Sequence, residues 1–168
     1  RGLTEFFPGE DRFQLIREAP DYIFYTSIFE DSKENIWLAT WRDGLYHINR
    51  ETGHTKVYLH HKEDSTSLNS NRVNRIFQDS FKHLWIATEN GLALWTTEGR
   101  HLRRFTKADG LPSNLILAMQ EDNAHNLWIS TTRGLVRMHL PDFRLHLYDK
   151  ESGLLDLQFN YNSTFRDQ

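Results

Sequence analysis

Asp31-Ser32-Lys33-Glu34-Asn35-Ile36-Trp37-Leu38-Ala39-Thr40 is the first of three near-copies of one phrase. Asp79-Ser80-Phe81-Lys82-His83-Leu84-Trp85-Ile86-Ala87-Thr88 and Asp122-Asn123-Ala124-His125-Asn126-Leu127-Trp128-Ile129-Ser130-Thr131 complete the set. In each copy the Asp stands 6 residues before the Trp, and the tryptophans are 48 and 43 residues apart. Each Trp is followed by a turn that ends in a Gly-Leu pair, at Gly44-Leu45, Gly91-Leu92 and Gly134-Leu135. A Trp-marked period of about 40 to 45 residues is the spacing of four-stranded propeller blades.

Each repeat reads strand by strand. Tyr25 to Glu30, Val73 to Gln78 and Ile116 to Glu121 are short, apolar-rich runs that end at the repeated Asp, and they form strand a. Strand b is Ile36 to Thr40, Leu84 to Thr88 and Leu127 to Thr131. Its unbroken apolar character predicts a strand covered on both faces, as in a sheet held between two neighbours. Gly44, Gly91 and Gly134 supply the positive φ that a tight b-to-c turn needs. Strand c follows over Leu45 to Ile48, Leu92 to Trp95 and Leu135 to Met138. A second turn signal, Thr52-Gly53, Glu98-Gly99 or Pro141-Asp142, leads into a more polar strand d around Val57-Tyr58, Arg104-Phe105 and Leu147-Tyr148. Strand d is expected at the solvated outer edge.

The ends fit the same pattern out of phase. Ile16 lies 14 residues after Gly2, as Tyr58 does after Gly44. Residues 2–16 are therefore expected to be strands c and d of a blade whose start is absent, and residues 161–168 the start of another. Between them lie blades over 25–58, 73–105 and 116–148. The expected fold is all-β, with residues 1–168 as one partial propeller ring of four-stranded antiparallel blades. Closed propellers typically have about four to eight blades, so a piece of something larger is expected. Neighbouring blades of a parent protein, or a second copy of the chain, would then cover the end faces. Two copies sharing their partial blades would close a ring of about eight, and the isolated chain is expected to self-associate.

Composition sets the remaining bounds. Apolar residues at 38%, aromatics at 13% and charged residues at 26% describe a globular β protein. A net charge of −3 without a basic stripe argues against a nucleic-acid surface. No apolar run is long enough for a membrane span, so no membrane contact by this piece is expected. With no cysteine the chain has neither disulfides nor thiolate metal sites.

The phrase Asp-x4-Leu/Ile-Trp-Ile/Leu-Ala/Ser-Thr-x-x-Gly-Leu resembles the regulator-propeller repeat of bacterial two-component sensors, known from periplasmic parts of hybrid histidine kinases in Bacteroides-type bacteria. The stretches His61 to Val73, Ser152 to Asn160 and Gly2 to Pro8 are similar to other segments of that family. The first b-to-c turn departs from the pattern by one extra residue, since Trp37 to Gly44 spans 7 positions against 6 in the other repeats. The resemblance implies a non-catalytic sensor module that recognises an oligosaccharide or another extracytoplasmic ligand. It also implies a periplasmic location within a sensor anchored in the inner membrane, and a histidine kinase and phosphorelay downstream. No cofactor or metal is implied.

Most singled-out residues have a structural reading. Trp37, Trp85 and Trp128 lie inside apolar strands and are expected in the core between blades. Asp31, Asp79 and Asp122 lack a partner carboxylate at fixed spacing and are expected to cap the a-to-b turn with Asx-type hydrogen bonds. His60 and His61 near Glu63 and Asp64 lack a ligand spacing typical of a metal site and read as a solvated loop. Trp41 is different, because it is a large aromatic beside Arg42 and Asp43 in the widened turn, a pairing suited to a sugar ring or a carboxylate. The b-to-c turns and d-to-a loops share one end of a propeller. Trp41, Arg42, Asp43, Glu89, Asn90 and Arg133 are therefore expected around one mouth with Asn71 and Asn114. Two further functions compete with sensing: a protein-interaction scaffold using the same face, and a propeller lyase, which would need an acid and a base converging on one atom.

Overall fold

The computed structural model describes residues 2–95, 102–161 and 163–164. A hairpin of β1 (Thr4–Phe7) and β2 (Arg12–Leu15) opens the chain. The first full blade comprises β3 (Tyr25–Glu30), β4 (Ile36–Thr40), β5 (Leu45–Ile48) and β6 (Thr55–Tyr58). The second comprises β7 (Val73–Gln78), β8 (Leu84–Thr88), β9 (Gly91–Trp95) and β10 (Leu102–Phe105). The third comprises β11 (Ile116–Glu121), β12 (Asn126–Thr131), β13 (Gly134–His139) and β14 (Arg144–Tyr148). Each blade is an antiparallel meander in sequence order, so the all-β propeller architecture is observed. A 3-10 turn at Lys107–Asp109 is the one helical element among the described residues. The expected turn at Glu98-Gly99 lies outside the described residues. So does part of the strand expected over 161–168, of which Tyr161, Ser163 and Thr164 are described and carry no strand.

The b strands show why their sequence is apolar without alternation. Ile36 and Leu38 pack backwards with Leu3, Ile16 and Ala19, whereas Trp37 and Ala39 pack forwards with Val73, Ile76, Leu84 and Ile86 of the second blade. The second blade repeats the split: Leu84 and Ile86 face back, and Trp85 and Ala87 face forward onto Ile116, Met119, Leu127 and Ile129. Successive side chains of a strand point to opposite faces, and here both faces are seams between blades. Trp85 is 0% exposed and Trp37 5%. Trp128 departs from the expectation of full burial: it is half-buried, since its side of strand b faces away from the second blade. The d strands are less uniformly solvated than expected, because Leu102 and Phe105 of β10 are buried in the two seams.

A register irregularity recurs near the start of every strand a, between Tyr25 and Ser27, Val73 and Arg75, and Ile116 and Ala118. Such bulges re-aim the residue they leave unpaired. Thr26 Oγ1 accordingly donates to the Val73 carbonyl of the next blade at 2.5 Å, and Asn74 Nδ2 donates to that of Ile116 at 2.9 Å. These bonds tie the inner strands of consecutive blades.

The repeated Asp caps the a-to-b turn and also holds the Trp. Oδ1 of Asp31 accepts the amides of Lys33 and Asn35, while Oδ2 accepts Trp37 Nε1 at 2.8 Å. Asp79 and Asp122 do the same for Trp85 and Trp128, both at 2.8 Å. Burial opposes ionisation of Asp122, yet bonds from Asn126, Trp128 and Ala124 outweigh it and pull its pKa down to about 2.

Candidate functional site

The mouth is built from the b-to-c turns, and each turn is shaped by one Thr and one Gly. Thr40, Thr88 and Thr131 are 0% exposed. Their hydroxyls donate to the carbonyls of Gly44, Gly91 and Gly134 at 2.7, 2.7 and 2.9 Å, and each accepts a turn amide, from Asp43, Asn90 or Arg133. The glycines have φ of +79°, +115° and +122°. A Cβ on Gly44 would come within 2.3 Å of the Tyr58 carbonyl oxygen, so both backbone conformation and space require glycine there.

The glycine amides then reach the next d-to-a loop. Gly44 N donates to Asn71 O at 3.0 Å, Gly91 N to Asn114 O at 2.6 Å and Gly134 N to Leu157 O at 3.2 Å. Turn and loop therefore share one end of the ring, and the candidate residues are brought to it. Asn71 and Asn114 turn their side chains back to brace their own loops: Asn71 Oδ1 accepts the His60 amide at 2.6 Å and Asn114 Oδ1 the Lys107 amide at 2.7 Å. Asn90 links the second and third loops, since its Oδ1 accepts Asn114 Nδ2 at 3.1 Å and its Nδ2 donates to Asn69 O at 3.3 Å.

Trp41 is 37% exposed. The cation that covers it is Arg72, whose guanidinium carbon lies 5.4 Å from the ring centroid and whose Nη1 donates to Glu89 Oε2 at 2.8 Å. Arg72 was not singled out in the sequence, where Arg42 stood next to Trp41. Arg42, Asp43 and Arg133 have exposed side chains. The half-exposed Tyr161 belongs to the same end: burial first, and the negative charge of Glu89 second, raise its hydroxyl pKa above the ordinary value. The result is an aromatic and guanidinium platform edged by amides and a phenol, which suits a polyhydroxylated ligand through ring stacking and planar hydrogen bonds.

Within the first d-to-a loop, His60 Nδ1 is 2.6 Å from the Leu68 carbonyl oxygen, and Arg104 braces the same loop through the carbonyls of Asp64 and Ser67. Among the described residues no group of three or more His, Asp or Glu side chains is placed to hold a metal ion.

A family model described as two component regulator propeller matches residues 19–42, 67–90 and 110–133, which contain the three copies of the repeated phrase. The chain is 32% identical over 78 residues to histidine kinase P4 of Formosa agariphila, a match covering 45% of the chain and 6% of that protein. It is similar to the extracellular domain assigned to a hybrid two component system of B. thetaiotaomicron, with 25% identity and a TM-score of 0.71 over 88% of this chain and 22% of that one. Virginiamycin B lyase from Staphylococcus aureus, at 17% identity and a TM-score of 0.58 over 77% of this chain and 42% of that one, shares the fold alone. The chain thus spans a small part of the length of the sensor proteins it matches.

Proposed function

We infer that these two component regulator propeller repeats are the ligand-sensing part of an extracytoplasmic domain that signals to a histidine kinase, and that the ligand is an oligosaccharide met at the mouth. The observation that carries this reading is the stack of Trp41 and Arg72 fixed by Glu89, an exposed aromatic with a planar donor held beside it. The three matched repeats and the likeness to an extracellular domain of a hybrid two component system support the signalling context.

The test is a titration against a glycan library, read by calorimetry. Trp41→Ala, Arg42→Ala and Arg72→Ala should each weaken binding of the best glycan about tenfold or more, with the unfolding midpoint nearly unchanged, because exposed turn residues contribute little to the core. Equal affinity in wild type and all three variants would reject the mouth as the site. A chain that binds no glycan but captures a partner domain through the same residues would replace the reading with a protein-interaction scaffold.

A further inference from the structure

A second concave site lies on the seam between the first two blades, at the end where the a-to-b turns gather. It is a groove of about 310 Å³ lined by Trp37, His47 and Trp95, with Lys33, Lys82 and Gln78 also on its lining. The His47 ring packs against Trp37 at 4.2 Å between centroids, and Trp95 meets Trp37 edge-on at 5.7 Å. Burial lowers the His47 pKa from its ordinary value, favouring the neutral ring in this wall.

Two cations and one carboxylate line the groove, which leaves a net positive charge. Asp31 lines it too, but its two oxygens are taken by Trp37 Nε1, the amides of Lys33 and Asn35, and Asn35 Nδ2. Gln78 is likewise engaged, accepting the Ser32 amide and donating to the Lys82 carbonyl. The exposed ammonium groups of Lys33 and Lys82 have no hydrogen-bonding or ion-pair partner among the described residues. An aromatic wall with two unpaired ammonium groups, beside one carboxylate whose oxygens are already engaged, is the make-up of a small-molecule pocket that wants a ring on one side and a negative charge on the other.

The corresponding seam between the second and third blades carries an added ring. It is Phe143, 5.9 Å from both Trp85 and Phe105, and Arg103 covers the rings of Phe105 and Phe143 at 4.8 and 4.9 Å. Phe143 stands 9 residues after Gly134 in the sequence, and the residue 9 after Gly91 is Arg100, outside the described residues.

We propose that the seam between the first two blades binds a small anion built on a six-membered ring, the ring against the partly exposed His47 and Trp95, with Trp37 buried behind them, and the carboxylate or sulfate met by Lys33 and Lys82. A sugar acid such as a uronate and an aromatic acid share this chemistry, and the probe separates them. This site is distinct from the mouth and does not depend on it.

The experiment titrates the chain with D-glucuronate, benzoate and, as the neutral control, glucose, following amide and indole signals by NMR. Saturable binding of glucuronate or benzoate in the millimolar range is expected, as for ligands of this size, with the Trp37 and Trp95 indole signals shifting. Glucose should bind at least about tenfold more weakly. The paired substitution Lys33→Gln and Lys82→Gln should weaken the anion about tenfold or more, whereas Trp41→Ala should leave it unchanged. Preference for glucuronate identifies a sugar acid, and preference for benzoate an aromatic acid. Unchanged affinity in the double variant, loss of binding in Trp41→Ala, or no saturable binding of either anion would overturn the proposal.

Discussion

The two seams between full blades are built from the same phrase and are closed in different ways. In both, the last residue of strand a accepts the amide that follows the repeated Asp of the preceding blade. At the first seam that residue is Gln78, with one bond of 3.2 Å from the Ser32 amide. At the second it is Glu121, whose carboxylate takes the Ser80 amide at 2.7 Å and the Ser80 hydroxyl at 2.6 Å. His125 joins them, with Nδ1 2.9 Å from Ser80 Oγ and 3.2 Å from Glu121 Oε1. Charged acceptors make shorter and stronger bonds than neutral ones. The second seam also has Phe143 wedged into it, whereas the first keeps a groove. Near-identical strand b residues thus secure burial in both seams, and residues outside strand b decide whether a seam is clasped or open.

The largest effect expected is on the tryptophans, which make the same bond to Asp but differ in burial. Trp85→Ala should cost about 3 to 5 kcal/mol in denaturant unfolding, the range for large aromatics removed from cores. Trp128→Ala should cost clearly less, because its indole is only half-buried. Equal losses would mean that the bond to Asp, and not seam burial, sets the stability of a blade.

A smaller effect separates the two clasps. Glu121→Ala removes two bonds to a charged acceptor and should cost about 1 to 3 kcal/mol, whereas Gln78→Ala, which removes a neutral acceptor, should cost about 1 kcal/mol or less. Hydrogen exchange gives a local readout: the Ser80 amide should lose protection in the first variant far more than the Ser32 amide does in the second. Matching losses would erase the distinction between clasped and open seams.

The smallest effect is acid sensitivity. Asp122 titrates near 2 in the folded chain against an ordinary value of 3.8, so its stabilisation is present above pH 3.8 and is lost as pH falls through about 2. The Asp31 carboxyl is also lowered, where bonds from Trp37, Asn35 and Lys33 outweigh burial. Asp122→Asn should therefore flatten the fall of the unfolding midpoint between pH 4 and pH 2, a window set by those two values. A slope identical to wild type would show that Asp122 bears no part of the acid response.

What the sequence made legible follows from geometry that is local. The strands of the three blades could be placed because each repeat carries its own apolar run and its own turn glycine, and the observed bounds of β3, β4, β7 and β8 coincide with those runs. The bond from Trp to Asp was not anticipated, although the fixed spacing of 6 residues is its visible trace. Arg72 escaped notice because its partner Trp41 is 31 positions away and only blade packing brings them together. Asn71 and Asn114 fall at the mouth as the topology requires, but nothing in their spacing foretells that their side chains brace their own loops. The contrast between the seams was equally hidden, since Phe143 and Glu121 acquire their roles from a neighbouring blade.

The first b-to-c turn carries an extra residue, yet its glycine still closes onto the following loop at 3.0 Å, within the range of the shorter turns. The tether is fastened at the glycine and at the buried Thr, so the residues between them are free to change in number and kind. Mutation at positions 41 to 43 can therefore explore new chemistry at the mouth while the ring beneath stays under separate selection. A propeller fastened in this way can acquire a new specificity by drift in a few turn residues, with no need to redesign its blades.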